Sequence, residues 1–319
     1  MKGLLFVLMS LVAAVPVAYG QDDGFPNKPI RIIVPFTPGS SADTASRFFG
    51  SQMADKLGQP FIVENRPGGS GAIAMSAVKN AAADGYTLFL ASNSLMSVNP
   101  LVIKSLPYDP GQELKPIGGL TRGVNVLIVS AQSKYRTLGE LIDAGKKGQG
   151  LNGGTYSWGY RLAAEWLANL SGMKLTNISY KGAAQVLTDT ASGQLDFAVV
   201  SLDGAASMIR SGQVRALAIS DERRHKEFPD VPTIKESGYP EYVNYSWDSL
   251  YVMNQTPQAA VDKLAGTLQE VLATDESRAF VEKAGRQLMP YAPEAMHQYQ
   301  VSELKRFRGI MQAAGIQPE

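Results

Sequence analysis

The feature that most constrains the fold lies at residues 30–49, where a run of β-branched residues leads through a Pro/Gly turn into a helical pattern. Ile30–Phe36 predicts a strand, and Ser41–Leu57 carries apolar residues at helical spacing. A strand that stops at a helix N-terminus directs free backbone N–H groups and the positive end of the helix dipole at one place. Such a place can bind an anion without a lysine or an arginine. An ordinary β–α corner with a good N-cap explains the same residues.

Apolar runs and helical patterns continue to alternate after this corner, which predicts an α/β fold with a largely parallel sheet. A length of 319 residues fits two lobes. We expect lobe 1 at 25–123 plus 246–319, lobe 2 at 124–220, and a connection between the lobes at 221–245 that is rich in Pro, Gly and charge. Two chain crossings of this kind allow the lobes to close over a cleft. The last helix is predicted to end at Gly315, before a loose tail.

The N-terminus has the pattern of a targeting signal. Lys2 supplies a positive charge, Leu4–Ala18 is apolar but short for a membrane span, and Ala18-Tyr19-Gly20 is a small-x-small site. We predict a signal peptide at 1–20 with cleavage near Gly20/Gln21. An uncleaved anchor is the alternative, which the short apolar run and Pro16 disfavour. The mature chain is expected to be exported and soluble.

Composition excludes several function classes. The chain has no cysteine and only two histidines, which argues against a disulfide, a thiol nucleophile, a histidine-dependent triad and a zinc site. Lysine and arginine total 30 and aspartate and glutamate 29, so no basic excess favours nucleic-acid binding. No catalytic constellation, metal site or cofactor motif is found.

Four segments could face an interlobe cleft, namely Thr37–Asp43, Ser92–Ser94, Gly153–Tyr160 and Tyr180–Gln185. Three of them place a helix N-terminus after a strand. Converging helix N-termini with hydroxyl groups favour a ligand that bears one or more carboxylates. Each corner taken singly is also compatible with plain β–α architecture.

Several side chains in these segments have two interpretations. Asp43 can complement the helix dipole, which we favour, or orient a ligand amine. Lys181 can pair with a ligand carboxylate or lie on the surface. The aromatic residues Tyr156, Trp158 and Tyr160 can pack a hinge or form a stacking wall in the cleft.

The chain resembles the Bug family of periplasmic solute receptors, the substrate-binding components of tripartite tricarboxylate transporters. The resemblance covers nearly all of the mature chain, and the motifs that carry it are Pro29–Gly39, Val63–Gly71, Asp84–Leu88, Asn99-Pro100, Leu106–Pro110, Tyr180-Lys181-Gly182, Gly212–Ala218 and Pro229–Gly238. It implies a two-lobed periplasmic-binding-protein type II fold, also called a Venus flytrap. It also implies a periplasmic receptor, not an enzyme, that captures a small carboxylate without a cofactor and delivers it to a membrane permease. We expect a monomer.

Carried onto this chain, the resemblance places ligand contacts in both lobes. In the first lobe they are Phe36, Thr37, Gly39, Ser40, Ser41, Ala42, Asp43, Ser92 and Asn93. In the second lobe they are Thr155, Tyr156, Ser157, Trp158, Lys181, Gly182, Ala183 and Asp203.

Two departures from the family pattern bear on the ligand. Ser40-Ser41 stands where the family commonly has a glycine pair, and Tyr156, Trp158, Tyr160 and Arg161 stand where it tends to use small residues and often a histidine. We therefore predict an aromatic carboxylate such as terephthalate, with its ring against Trp158 or Tyr156. The alternatives are an aliphatic di- or tricarboxylate receptor, a ligand-binding partner of a signalling kinase, and a hydrolase that uses Ser40 or Ser157.

Overall fold

The computed structural model describes residues 24–148 and 150–319, so the predicted signal peptide lies outside the described residues. The strands within this part are β1 (Ile30–Val34), β2 (Phe61–Asn65), β3 (Thr87–Ser92), β4 (Leu114–Ser130), β5 (Leu151–Thr155), β6 (Leu175–Ser179), β7 (Phe197–Ser201), β8 (Val214–Ile219), β9 (Tyr245–Met253) and β10 (Gln287–Leu288).

The same part of the chain forms the helices α1 (Ser41–Leu57), α2 (Ala72–Lys79), α3 (Asn99–Val102), α4 (Pro110–Glu113), α5 (Leu138–Lys147), α6 (Trp158–Ser171), α7 (Ala183–Ala191), α8 (Leu202–Arg210), α9 (Gln258–Leu272), α10 (Asp275–Lys283) and α11 (Pro293–Ala314). A 3₁₀ turn at Gly69–Gly71 precedes α2, and a π-helical turn at Ser94–Val98 follows β3. No helix of the described chain combines the length and the apolar character that a membrane crossing needs.

The first lobe is built around β1, which lies between β2 and β3 and is parallel to both. Helices cover this small sheet, and a strand that is buried on both faces needs apolar residues at nearly every position. The strand Ile30–Val34 is accordingly apolar almost throughout and does not alternate between apolar and polar residues. Phe49 of α1, Leu90 of β3 and Leu264 of α9 meet in one fully buried cluster. This packing fixes the direction in which β1 enters α1, and hence the position of the first predicted corner.

The second lobe repeats the plan with β5 between β6 and β7, again parallel to both. Its core joins Leu167 of α6, Leu141 of α5 and Phe197 of β7 in one buried cluster. Glycines 153 and 154 lie in β5 because a side chain there would collide with the core: a Cβ on Gly154 would lie 2.4 Å from Leu195.

One long strand, β4, runs between the lobes. The strand order is β2-β1-β3-β9-β4-β7-β5-β6, with β8 and β10 also paired to β4. Every pairing made by β4 or β9 is antiparallel, so the expectation of a largely parallel sheet is wrong in the middle of the molecule. The first half of β4 pairs with β9 and the second half with β7 and β8, so β4 crosses from the first lobe to the second. The chain returns to the first lobe where β9 begins, and these two crossings allow the lobes to move.

Residues 221–245, expected as a connection, pack on the second lobe. Ile234 and Tyr242 are buried in its core, and the Tyr242 hydroxyl donates to the backbone oxygen of Ala163 at 2.8 Å. A bridge between Ile219 and Thr233 attaches the segment to β8. The exact lobe boundaries at 123, 220 and 246 stay predictions.

The end of the chain is not the loose tail that we expected. Phe307 and Met311 of α11 share a buried cluster with Val102 of the first lobe and Leu162 of the second. The backbone N–H of Glu319 donates to the backbone oxygen of Val102 at 2.8 Å. The C-terminal segment therefore packs against both lobes.

Candidate functional site

The four predicted segments meet between the lobes around two adjoining spaces. The outer cavity has a volume of about 180 Å³ and is lined by Pro35, Phe36, Gly68, Gly69, Ser70, Gly71, Ser94, Leu95, Asn99, Thr155, Tyr156, Ser157, Trp158, Arg161, Ser179, Tyr180 and Lys181. The inner compartment has a volume of about 30 Å³ and is lined by Phe36, Ser40, Ser41, Ala42, Ser92, Asn93, Ser94, Tyr156, Ser157, Tyr160, Ser246, Trp247, Asp248 and Arg286. Residues from both lobes line both spaces, so the two form one continuous candidate site.

Not every predicted site residue faces this site. Thr37, Gly39, Asp43, Gly182, Ala183 and Asp203 line neither space. The other predicted residues line one or both, and their contact with a ligand stays a prediction.

The β1–α1 corner forms the first wall of the inner compartment. Ser40 is the N-cap of α1, and its hydroxyl accepts a hydrogen bond from the Asp43 N–H at 3.2 Å. Ser41, one residue further, lies 3.4 Å from Ser201 of the second lobe, measured between the two Oγ atoms. Ser40 thus caps α1, and Ser41 contacts the second lobe across the cleft.

Asp43 has the structural role that we favoured from the sequence. Its carboxylate is buried and accepts hydrogen bonds from the Gly39 N–H at 2.9 Å and from Asn65 at 3.0 Å, and it forms an ion pair with Arg47 at 2.9 Å. Burial by itself would raise the pKa of Asp43, but the hydrogen bonds from Arg47, Gly39 and Asn65 outweigh burial and lower it. Asp43 and Gly39 thus bond to each other in this structure, and their predicted ligand contacts stay predictions.

The end of β3 and the π-helical turn form the second wall. The Ser94 hydroxyl lies 3.0 Å from the Ser157 hydroxyl and accepts a hydrogen bond from the Gly159 N–H at 3.1 Å. Both partners belong to the second lobe, so Ser94 joins the lobes at the floor of the cleft. π-Helical turns inside helical segments are frequent at functional sites.

Two buried polar atoms of the inner compartment's residues have no partner among the described residues. They are the Ser92 hydroxyl and the Trp247 indole N–H. Buried polar groups are nearly always hydrogen-bonded, to protein or to water. A volume of about 30 Å³ is enough for a small polar guest, since about 10–15 Å³ holds one water.

The β5–α6 corner supplies the aromatic wall. The Tyr156 and Tyr160 rings lie 4.6 Å apart, and burial, reinforced by the neighbouring Tyr160, raises the pKa of Tyr156 well above its usual value. Tyr156 therefore stays neutral and acts through its ring and its hydroxyl hydrogen bonds. The Arg161 guanidinium covers one face of the Trp158 indole at 4.3 Å, so that face is not available to a ligand ring. Trp158 also packs against the buried cluster that contains Leu162 and Phe307.

Arg161 was not predicted as a ligand contact. It lies in the wall of the outer cavity and pairs with Glu165 at 2.6 Å and with Glu319. Its position one turn after Trp158 in a helix could have suggested this role, because residues three or four apart share a helix face.

The β6–α7 corner contributes Lys181, while its other predicted residues take a different role. Lys181 is exposed, lines the outer cavity and has no ion-pair partner among residues 24–148 and 150–319. Gly182 lies against Thr37 of the first lobe, where a Cβ would come within 2.9 Å of the Thr37 hydroxyl. Gly182 and Thr37 thus form a contact between the lobes and are not part of the cavity wall.

Asp203 also lies away from both spaces. Its carboxylate is 3.5 Å from the Arg286 guanidinium, and Arg286 pairs in turn with Asp248 at 2.8 Å. Asp203 thus forms an ion pair and lines neither space, and its predicted ligand contact stays a prediction. Sequence reasoning missed Arg286 and Asp248, because no local pattern marks them.

The charges of the site favour an anion. The outer cavity is lined by Lys181, which has no ion-pair partner in the described ranges, and by Arg161, whose charge Glu165 and Glu319 already balance. No aspartate or glutamate of the described ranges lines it, while the inner compartment holds the Asp248–Arg286 pair. Within the part of the chain that the structure describes, no cluster of three or more His, Cys, Asp or Glu side chains could hold a metal ion.

Comparison with known proteins identifies the family. The sequence profile described as "Tripartite tricarboxylate transporter family receptor" matches residues 45–316, which is most of the chain. The chain belongs to this receptor family. Its members are solute-binding receptors and not enzymes, and the family includes the Bug proteins.

Curated relatives align along nearly the whole chain. Protein BugT of Bordetella pertussis is 32% identical over 326 residues, covering 99% of this chain and 98% of BugT. A UPF0065 protein of Bordetella bronchiseptica is 32% identical over 320 residues, covering 99% of this chain and 94% of that protein.

Solved structures confirm the two-lobed periplasmic-binding-protein fold. The Rpa4515 protein of R. palustris with adipate has a TM-score of 0.88 at 28% identity, covering 92% of this chain and 100% of that one. MatC from Rhodopseudomonas palustris with bound malate has a TM-score of 0.85 at 27% identity, covering 90% of this chain and 99% of that one. The periplasmic binding protein BugD has a TM-score of 0.86 at 27% identity, covering 92% of this chain and 100% of BugD.

Proposed function

We propose that this receptor captures a small dicarboxylate, with an aromatic one such as terephthalate preferred, in the cleft between its lobes. The observation that carries the proposal is the outer cavity, whose wall in the described chain has the unpaired cation Lys181 and no acidic residue, and which shares lining residues such as Ser94 and Ser157 with the serine-lined inner compartment. Hydroxyl groups and helix N-termini are suited to one carboxylate, and Lys181 to a second.

The size of the cavity fits this class. At about 10–15 Å³ for each water-sized atom, a volume of about 180 Å³ accommodates about a dozen non-hydrogen atoms. A benzene ring with two carboxylates, or an aliphatic chain of similar length, has about that many. The structural relatives with adipate and with malate support carboxylates as the ligand class.

The preference for an aromatic ligand rests on the rings around the cavity. Phe36 of the first lobe and Tyr156 and Trp158 of the second all line it. Aromatic pairs contribute about 0.5–1.5 kcal/mol beyond the area that they bury, or about a 2- to 12-fold gain in affinity. Arg161 fixes the indole from one side, so the stacking face is held in place before the ligand arrives.

Isothermal titration calorimetry tests the ligand class and the preference together. We expect terephthalate to bind more tightly than adipate or malate, and benzoate to bind weakly because it lacks the second carboxylate. Trp158→Leu should lose about 2- to 12-fold in terephthalate affinity, while Trp158→Phe keeps most of it and adipate binding changes little. Binding of malate or citrate alone, together with an unchanged affinity in Trp158→Leu, would refute the aromatic preference. An absence of binding by every carboxylate would refute the ligand class.

The cation Lys181 is tested against a matched lysine of the same lobe. Lys181→Gln should weaken dicarboxylates more than benzoate, because only the former place a second charge in the outer cavity. Lys174→Gln, also exposed, should change neither. Equal losses in the two variants would show that Lys181 acts only through the overall charge of the protein.

The cellular role that we propose follows from the family. The receptor would be periplasmic after cleavage near Gly20/Gln21, act as a monomer, and pass its ligand to the membrane permease of a tripartite tricarboxylate transporter. Mass spectrometry of the exported protein tests the cleavage site. Uptake of labelled terephthalate by permease-containing vesicles tests delivery, which should require the closed, ligand-bound receptor; uptake at the same rate without the receptor would contradict it.

A further inference from the structure

We propose that Asp203 and Arg286 form an ion pair between the lobes that stabilises the closed receptor and so sets ligand affinity without touching the ligand. The inference rests on the proposed function only in the choice of ligand, because closure itself can be measured in the ligand-free protein.

Arg286 is held in place by the first lobe alone. Its guanidinium donates to Thr121 of β4 at 3.0 Å and to Asp248 of β9 at 2.8 Å, and its side chain is only 4% exposed. Gly123 leaves the room that this arrangement needs, since a Cβ there would lie 3.0 Å from the guanidinium. The arginine is therefore a preformed feature of the first lobe.

Asp203 approaches this arginine from the second lobe. It lies in the first turn of α8, and its side chain is 10% exposed and 3.5 Å from the guanidinium. Burial alone would lower the pKa of Arg286, but Asp203 and then Asp248 outweigh it and raise that pKa. Asp203 is thus a strong electrostatic partner of Arg286, although it belongs to the other lobe.

The pair lies between two interlobe spaces. Arg286 lines the inner compartment on one side and a groove of about 660 Å³ on the other. Separation of the lobes would bring water to the guanidinium from both sides and remove Asp203, while Asp248 would stay. Arg286 keeps one carboxylate in the open form and gains the attraction of a second one on closure, so the closed arrangement is the one that Asp203 favours.

The ligand site and the ion pair are coupled through one corner. Ser201, which meets Ser41 across the cleft, ends β7 two residues before Asp203. Tyr156 lines the inner compartment together with Ser41, and its ring lies 4.6 Å from the ring of Tyr160. The charges of Asp203 and Arg286 act on the Tyr160 hydroxyl. A ligand that draws the β7–α8 corner toward α1 also brings Asp203 to Arg286.

Distance measurements between the lobes of the ligand-free protein test the proposal directly. The chain has no cysteine, so Asp55→Cys on α1 and Lys174→Cys in the second lobe allow specific spin labelling for pulsed electron paramagnetic resonance. We expect Asp203→Asn to increase the population of longer distances, and the matched variant Asp143→Asn, an exposed aspartate of the same lobe, to leave the distribution unchanged. An unchanged distribution in Asp203→Asn overturns the proposal.

Binding provides the second readout. With terephthalate and adipate as probes, Asp203→Asn should raise Kd about tenfold, mainly through faster dissociation, and Asp203→Glu should recover part of the loss. A residue with only a structural role would lower the melting temperature of the ligand-free protein and leave the interlobe distances as they are. If neither probe binds the wild type, the proposed ligand is wrong, but the distance measurement still decides the ion-pair proposal.

Discussion

Replacing Gly182 by alanine should act as a wedge between the lobes. Gly182 precedes α7 in the second lobe with an extended φ of −168°, which any residue adopts, so the substitution introduces no backbone strain. A Cβ there would lie 2.9 Å from the Thr37 hydroxyl oxygen and 3.1 Å from its methyl carbon, across the cleft. The clash therefore exists only when the lobes are closed.

The size of the effect follows from these distances. Ordinary contacts begin near 3.4 Å, so the closed lobes must separate by about half an ångström or Thr37 must leave its rotamer, which its branched Cβ makes costly. Overpacking of this kind costs about 1–3 kcal/mol, which corresponds to a Kd increase of about 5- to 150-fold for terephthalate or adipate. The melting temperature of the ligand-free protein should change little, because the open form has no clash.

Calorimetry on a double-mutant cycle tests this reasoning. Thr37→Ala removes both close atoms and leaves the nearest Thr37 atom at 3.6 Å from the new Cβ, so Gly182→Ala/Thr37→Ala should bind like Thr37→Ala alone. Gly139→Ala is the matched control, because it also lies near a helix start of the second lobe but has only an ordinary contact at 3.9 Å. If Gly182→Ala lowers the ligand affinity by the same factor in the wild-type protein and in the Thr37→Ala variant, the proposed clash between the lobes is refuted.

Three further substitutions have defined outcomes. Asp43→Asn should lower the free energy of unfolding by about 1.5–3 kcal/mol at pH 7. Because the native pKa of Asp43 is lowered, this loss should shrink as the pH falls below about 4. Urea titrations that show the same loss at every pH would contradict this. Ser94→Ala should raise Kd about 2- to 12-fold, because the hydroxyl accepts from Gly159 across the cleft; unchanged calorimetric affinity would contradict it. Burial raises the pKa of Asp248 to about 6; the Arg286 charge opposes this shift and the Asp203 charge adds to it. The stabilisation that the raised pKa of Asp248 gives the folded state is therefore complete below about pH 4 and is lost as the pH rises through 6. Asp248→Asn should remove that pH dependence in unfolding titrations, and its persistence would show that another group causes it.

The corners of the site were predictable because their signals are local. A β-branched run, a turn and a capping residue within a few positions predicted the start of α1, and the structure places this helix at Ser41–Leu57 with Ser40 as its N-cap. The helices α6 and α7 also begin a few residues after a strand, although neither has a side-chain cap hydrogen bond. Hydroxyl and aromatic residues at these corners therefore line the site as expected.

The first half of β4 could not be predicted from the sequence, because its residues contradict a regular strand. Pro116, Gly118 and Gly119 predict a break, yet the structure continues the strand through irregular pairings between Pro116 and Gly118 and between Gly119 and Thr121. Gly119 is needed for packing, since a Cβ would lie 2.5 Å from the Met289 carbonyl oxygen. Tertiary contacts here outweigh local propensity.

Long-range pairs of the site carry no sequence signal either. Arg286 and Asp248 come from elements 38 residues apart, and Arg161 meets Glu319 across 158 residues. Only the packed lobes bring these charges together. Asn65 and Arg286 likewise reach Asp43 and Asp203 from distant parts of the chain, so the sequence alone could not show these protein contacts.

The central claim is that a carboxylate ligand is enclosed between the two lobes. A crystal structure of the protein with terephthalate tests it most directly. We expect one carboxylate near the hydroxyls of Ser40, Ser41 and Ser94, the ring beside Trp158, and the second carboxylate near Lys181. The account would be contradicted by electron density for terephthalate outside the cleft, whether the cleft without ligand is open or closed.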